Sequence, residues 1–263
     1  MQNKSEEVDW SRLLLEAAEL GISALDTATA YRNAHELIFD SNWTGAIHTK
    51  ISNSSRAQAE LEESKAQLGR DSLDVVYFHD PGLAQANQPN LQRMAEELLH
   101  NGADAVGISV YSPEELIATL NVPGISHIQI PVNPLDQRFL EGCVRRAVEA
   151  GKTVIARSVF LQGVLVAKDV GMATNIPHQL IDAARSFQSD CEASGREPVD
   201  VCLELVASIE GISGVIVGVD GEAQLKDLCH RWNTINPNGT SAIDFRAFAS
   251  EDADVVDPRR WAK

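Results

Sequence analysis

Seven short apolar runs recur along the chain, each followed or preceded by a stretch with helical spacing, and this repeat constrains the fold more than any other feature. The runs are GISALDT from Gly21, GAIHTKI from Gly45, LDVVYFH from Leu73, ADAVGISV from Ala103, HIQIPVN from His127, TVIARSVF from Thr153 and SGVIVGV from Ser213. Most are nearly continuous in apolar character, as expected of strands in a parallel sheet covered on both faces. Between them lie DWSRLLLEAAEL, SSRAQAELEESKAQL, NLQRMAEELLHN, SPEELIATL, LEGCVRRAVEAG and a longer helical pair over 177–209. Asp9 and Ser112 stand where helix N-caps belong, and Gly21, Gly69, Gly102 and Gly151 where helices end. Strand ends fall roughly 25 to 30 residues apart, the length of one β-loop-α unit.

Such a repeat builds either a doubly wound sheet or a barrel. No GxGxxG follows any strand, so the expected fold is α/β, a (β/α)8 TIM-barrel-type domain spanning all 263 residues, a common size for such barrels at about 250 residues. The end, from about residue 240 to 263, reads as a short helix and tail packed outside the barrel or over one mouth, with Trp261 as its anchor. One segment is missing from the pattern. The sequence opens directly into a helix at about Val8, so no run supplies the first β-strand of an eight-stranded barrel. The expectation is either a truncated start or a barrel that is open or closed in an unusual way.

The formal net charge of −16 argues against nucleic acid or an anionic membrane surface as partner, since both need a positive face. Any anionic ligand requires a local positive pocket. No segment approaches the roughly 20 consecutive apolar residues of a membrane span, and the polar start carries no signal-peptide core, so a cytoplasmic protein is expected. Cys143, Cys191, Cys202 and Cys229 lie far apart, without the spacing of a zinc site or the density of a disulfide scaffold; reduced thiols and no metal are expected.

Barrel active sites lie at the carboxyl ends of the strands. Successive runs end there on Asp26, Lys50 and His79, with Tyr31 just beyond the first. Singly, each has an ordinary structural reading: the aspartate as a helix cap, the lysine as a solvated charge, the tyrosine as packing, the histidine as a backbone-bonded core residue. Together they place four polar groups at matching ends of three consecutive strands.

These residues, with AAELGISALDTATAYRNAHELI, HTKIS, LDVVYFHDP, GADAVGISVYSPEEL, HIQIPVNPLDQR, VIARSVFLQGVLV and GVIVGVDGEAQLKDL, resemble the aldo-keto reductases over most of the chain. The family's Asp, Tyr, Lys, His tetrad is matched in order and spacing by Asp26, Tyr31, Lys50 and His79. The resemblance implies an NAD(P)H-dependent oxidoreductase reducing an aldehyde or ketone, sugar-derived compounds among the candidates, to an alcohol. Tyr31 is then the proton donor. A phenol with an ordinary pKa near 10 is a poor acid at neutral pH, so Lys50 is expected to stabilise its phenolate, Asp26 to keep Lys50 charged, and His79 to orient the carbonyl.

On the cofactor side, the resemblance assigns Ser109 and Gln129 to the nicotinamide carboxamide, although Val110 replaces the usual Asn between those contacts. Arg157 takes the place of a tyrosine stacked on the nicotinamide, a role a planar guanidinium can share. Ser158, Phe160, Leu161 and Gln162 match the pyrophosphate loop, and Gly218, Gln224 and Asp227 the adenosine end. NADP is the family expectation, while Asp220 and Glu222 beside that end leave NAD open; Lys226, the nearby cation, reads as a solvated helix residue. Two other classes are retained: a non-catalytic binding or regulatory relative, motivated by the missing strand and by Val110, and a Schiff-base lyase using Lys50, against which the Asp26 partner counts.

Overall fold

The computed structural model of the chain describes residues 8–52, 54–80, 82–86, 88–170, 176–236 and 243–261. Seven strands pair side by side in sequence order, all parallel: β1 (Ala24–Asp26), β2 (Ala46–Ile51), β3 (Val75–Phe78), β4 (Val106–Ser109), β5 (Ile125–Pro131), β6 (Thr153–Arg157) and β7 (Ile212–Val215). Each lies within or overlaps one of the seven apolar runs. The sheet curls, but among the described residues β1 and β7 do not pair, so it is the barrel of the sequence reading with one strand missing.

The helices α1 (Trp10–Glu19), α2 (Ala34–Asp40), α3 (Ala57–Leu68), α4 (Gly82–Ala86), α5 (Gln88–His100), α6 (Pro113–Thr119), α7 (Cys143–Glu149), α8 (His178–Ala193), α9 (Pro198–Ala207), α10 (Glu222–Thr234) and α11 (Ala253–Val256) fill the intervals and the tail. Asp9 caps α1 by accepting from Arg12 N at 3.1 Å. Ser112 and Glu115 form a reciprocal capping box at the start of α6. Gly21, Gly69, Gly102 and Gly151 all adopt positive φ at helix exits, as their positions imply. Helices α2 and α4 are not among the helical stretches expected from the sequence, and α10 is signalled there only at Lys226. In α10 only Leu225 and Leu228 are buried over 13 residues, and α2 is 7 residues long with two buried positions, so neither shows a full apolar stripe.

Strand alternation divides the sheet into two unlike faces. Ile47, Val76, Phe78, Ile108, Ile128, Ile130, Val154 and Ala156 are 0 to 1% exposed and pack in the apolar layer under the helices. A fully buried Phe78 contributes about 1.5–3 kcal/mol there. The other face carries Asp26, His48, Lys50, Tyr77, Gly107, Ser109, His127, Gln129 and Arg157 in lateral register. The apolar continuity expected of these strands therefore breaks on the concave side, where polar groups alternate with the apolar ones.

Tyr77 fills that concavity. Its ring meets His48 at 6.0 Å and His127 at 6.4 Å between centroids, and a Cβ on Gly107 would lie 2.5 Å from two of its ring carbons. Glycine at 107 is the space the tyrosine occupies.

Across the open side the helical layer continues where the sheet does not. Arg12 of α1 meets Glu222 of α10 at 3.0 Å, and Lys226 of α10 meets Glu16 of α1 at 3.2 Å. The tail forms a 3-10 turn over Phe245–Phe248, α11 and a second turn over Pro258–Arg260. Phe248 packs edge-on against Phe187 of α8 at 5.3 Å, Val255 and Val256 are buried, and Trp261 packs against the core as its anchoring role requires. Residues 240–242, where the expected tail begins, lie outside the described residues.

No helix among the described residues is long and apolar enough to cross a membrane. The four cysteines are free, three of them buried. Burial raises their thiol pKa values, that of Cys191 to about 11, so they stay protonated and unreactive.

Candidate active site

The first three strands deliver Asp26, Lys50 and His79 to one end of the sheet because each strand runs parallel to the last, with Lys50 two residues beyond the register partner of Asp26 and His79 two beyond that of Lys50. The Lys50 ammonium donates to Asp26 Oδ1 and to the Thr27 carbonyl at 3.4 Å; the two side chains are 5% and 14% exposed. The second carboxylate oxygen, Asp26 Oδ2, accepts from Gln129 Nε2 of β5 at 2.7 Å. Tyr31 stands on the loop after β1, 47% exposed, with Lys50 Nζ 5.7 Å from its ring centroid. Its neighbour Arg32 has φ 37°, a left-handed turn that redirects the chain into α2. His79 follows β3 directly, its N–H bonded to Ile51 O at 3.1 Å.

Burial dominates the electrostatics. It pulls Lys50 below the ordinary ammonium value, and the Asp26 carboxylate beside it pushes back. His79 is lowered by burial and then by Lys50 and Arg157, so its imidazole is neutral at pH 7. The Tyr31 phenol is raised, first by burial and then by Asp26 and Tyr111, with Arg157 working in the opposite direction. Lys50 is bonded to Asp26 and also lies near the Tyr31 ring, and Arg157 is a second cation acting on that phenol.

Arg157, the last residue of β6, reaches across the top of β4 and β5. Its Nε donates to Ser109 Oγ at 3.0 Å, Nη1 to Ser158 Oγ at 3.1 Å and Nη2 to Val110 O at 2.8 Å, while its Cζ lies 4.0 Å from the Tyr111 ring centroid. The loop after it holds Ser158, Leu161 and Gln162 at positive φ; three left-handed non-glycine residues in five positions mark a backbone shaped for something other than stability. Asn133 Nδ2 bonds Ser158 O at 3.1 Å and holds that loop from β5's side.

The family model for the Aldo/keto reductase family matches residues 2–242. The chain belongs to that family. It is similar to aldo-keto reductase AKR11C1 from Bacillus halodurans, at 20% identity over 95% of this chain and 89% of that one, with TM-scores of 0.72 for the holo form and 0.74 for the apo form. It is also 24% identical to an uncharacterized oxidoreductase of Schizosaccharomyces pombe over 53% of this chain, a match spanning 58% of that relative's length. Aldo-keto reductases generally reduce carbonyls with NAD(P)H.

The residues on the cofactor side fit a nicotinamide carboxamide in one specific respect. Gln129 Oε1 is fully buried without a hydrogen-bond partner among the described residues, directly opposite Ser109 in the β4–β5 register, and an amide N–H would satisfy it. Val110 is 0% exposed in the apolar layer, so its side chain offers no replacement for the usual Asn. Leu161 is likewise fully buried, which leaves its backbone as the part facing the loop. Phe160 is half-buried and Gln162 exposed.

Of the residues that the resemblance assigns to the adenosine end, Gly218 lies in the exposed loop after β7. Gln224 Oε1 accepts from Asp220 N at 2.7 Å, and Asp227 Oδ2 accepts from Arg231 Nε at 2.7 Å, in a network that ties α10 to Asp200 and Glu197 of α9. Lys226 is held by Glu16, a surface pair rather than a solitary solvated charge. Sequence reasoning passed over Tyr111, Tyr77, His48, His127 and Arg259. The period-two alternation of HTK and YFH marks His48 and Tyr77; nothing local marks Arg259, which arrives from the tail with its Cζ 3.5 Å from the Tyr111 centroid.

Proposed function

We propose that this aldo-keto reductase reduces the carbonyl of a small aldehyde or ketone to an alcohol, with Tyr31 as the proton donor. The observation that carries the reading is the buried Lys50, held by Asp26 and Thr27 and placed 5.7 Å from the Tyr31 ring centroid. The reduced nicotinamide, when bound, supplies the hydride. Every other requirement falls on this chain's side chains. Tyr31 is exposed enough to meet a substrate oxygen and gives its proton as negative charge develops there. Neutral His79 keeps a ring N–H with which to hydrogen-bond that oxygen. Gln129 and Lys50 fix both oxygens of Asp26, so the carboxylate has no freedom to turn toward the phenol and raise its pKa further.

Ser109 and the open acceptor of Gln129 bind the carboxamide, Arg157 lies beside the nicotinamide, the 158–162 loop meets the pyrophosphate, and Gly218, Gln224 and Asp227 line the adenosine end. NADP is the family expectation, and NAD is the alternative that acidic Asp220 leaves open; Glu222 is paired with Arg12 and Lys226 with Glu16, so neither charge decides. Both cofactors are compared in the same assay.

The test is reduced-nicotinamide oxidation with a panel of small aldehydes and each cofactor. Tyr31→Phe is expected to lower kcat by about 10²–10⁴-fold, the usual contribution of a general acid, with cofactor affinity retained. Equal turnover by the variant would remove Tyr31 from the role. A non-catalytic reading is favoured by one observation, the raised Tyr31 pKa; tight cofactor binding without turnover of any aldehyde supports it.

A further inference from the structure

Around Tyr111 three guanidinium groups converge from distant parts of the chain, and they are not equally neutralised. Arg138 grips buried Asp136 with two bonds, Nε to Oδ1 at 2.7 Å and Nη2 to Oδ2 at 2.8 Å. Arg259 grips Asp257 in the same way, with Nη2 to Oδ2 at 2.7 Å and Nε to Oδ1 at 3.0 Å. Of the other carboxylates nearby, Glu115 caps α6 through the Tyr111 and Ser112 N–H groups, and Glu251 acts on Arg138. Among the described residues Arg157 bonds no carboxylate: its bonds go to two hydroxyls and a carbonyl, all neutral, while Asp136 and Asp257, already gripped by the other two arginines, act on it only through space. A guanidinium has five N–H donors, so two remain, and it carries a full charge at any physiological pH. Leaving such a cation half-buried without a bonded counter-ion is costly unless an anion completes it.

Its surroundings point the same way. The Tyr111 ring lies against both Arg157 and Arg259, and a stacked ring holds guanidinium planes in fixed orientation, as bidentate recognition of a planar anion needs. The field of this group extends to the reacting residues, since Arg157 acts on Tyr31, Lys50 and His79, and Arg259 also acts on His79. In a chain of net charge −16, a positive spot at this end of the sheet runs against the overall field.

We infer that Arg157, flanked by Tyr111 and Arg259, is an anion-recognition subsite that selects carbonyl substrates bearing a carboxylate or phosphate. This deepens the reductase reading above and rests on it for the identity of the reacting group. The subsite holds the anionic end of the substrate while the carbonyl faces Tyr31 and His79. Arg259 contributes less than Arg157 because Asp257 already neutralises it.

Two aldehydes of equal length, succinic semialdehyde and butanal, test the inference in steady-state assays of the full chain, with glyceraldehyde 3-phosphate against glyceraldehyde as the phosphate arm. The wild type is expected to favour one of the anionic members by about 10-fold or more in kcat/KM, the worth of one charge-assisted bond. The arm showing the preference identifies carboxylate or phosphate as the group read. Arg157→Gln is expected to erase most of that ratio, Arg259→Gln to reduce it by about 2- to 3-fold, and Arg157→Lys, which keeps the charge, to retain part of it.

Calorimetric binding of succinate and of inorganic phosphate supplies a readout independent of turnover and of the Gln variant's folding, with wild type compared against both Arg157 variants. Arg157-dependent anion binding without turnover of any aldehyde would sustain the subsite and sink the reductase reading. The inference is overturned if the anionic-to-neutral ratio is unchanged in folded Arg157 variants, if those variants alter cofactor KM alone, or if neither anion binds the wild type.

Discussion

At the scale of single residues, the site is organised around one buried ion pair. Taking Asp26 and Lys50 out of water is costly for each, and the pair persists because each neutralises the other and because Gln129 and Thr27 satisfy the remaining hydrogen-bonding capacity. Breaking it from one side should therefore be worse than removing both. Lys50→Met, which strands the carboxylate, is expected to cost roughly 3–5 kcal/mol of stability. The double variant Asp26→Leu with Lys50→Met should recover much of that loss in urea unfolding, though not activity; a double variant as unstable as the sum of the singles would show that the pair is not coupled. Asp26, Tyr31, Lys50 and His79 were all legible in the sequence, since strand ends can be located from apolar runs and their terminal polar residues read off. Their bonding partners were not. That Gln129 would bond Asp26, or that Arg157 would act on the Tyr31 phenol as well, depends on side-chain paths across several strands.

At the scale of elements, the strands show why a barrel interior can carry chemistry. The helix-facing side is aliphatic and tightly filled, while the concave side of β2, β3, β4 and β5 alternates polar and aromatic groups with a single glycine where Tyr77 needs room. Gly107→Ala would drive a methyl group to 2.5 Å from the Tyr77 ring and 2.8 Å from His127 O. The expected penalty is about 1–3 kcal/mol, the range for overpacking, and Tyr77→Leu in the same chain should relieve the part due to the ring while the contact with the His127 backbone remains. Thermal or urea unfolding of the two variants decides the point. Seven strands and the main helices were visible from periodicity, and their caps from Asp9, Ser112 and the exit glycines. Helix α2 was not, and α10 was signalled only at Lys226, because burying two residues each leaves too little apolar patterning to register; α4, of 5 residues, is too short to show a period.

At the scale of the whole molecule, the sheet of the described residues is a curled ribbon with two unpaired edges rather than a closed ring. The ion pairs between α1 and α10 bridge the outer layer, but exposed pairs of this kind contribute only about 0–1 kcal/mol each. Backbone amides of β1 and β7 are therefore expected to exchange with solvent faster than those of β3 and β4, which are paired on both sides; uniform protection across all seven strands in hydrogen-exchange mass spectrometry would contradict an open edge.

The interior histidines set the acid response of the same body. His35, His48, His79 and His127 all lie below the ordinary histidine value, burial being the largest cause for each. A base held neutral by the fold stabilises it above the unfolded pKa of about 6.5, and that contribution is lost as pH falls through the lower folded values. Tm should fall on acidification below about pH 6.5, and His48→Gln together with His127→Gln should flatten the slope.

Local physics explains what could be read from the order of residues. Period, caps and breakers act over a few positions, so the alternation of strand and helix, the barrel class, the gap before the first helix and the four strand-end groups all follow from short stretches of chain. Convergence is a different matter. The tail that brings Arg259 over Tyr111, the path that carries Arg157 to Ser109 and Val110, and the edges left unpaired among the described residues all involve groups distant in sequence. Those distances close only when the whole sheet curls, because the field at the site is a sum over neighbours that no local pattern encodes.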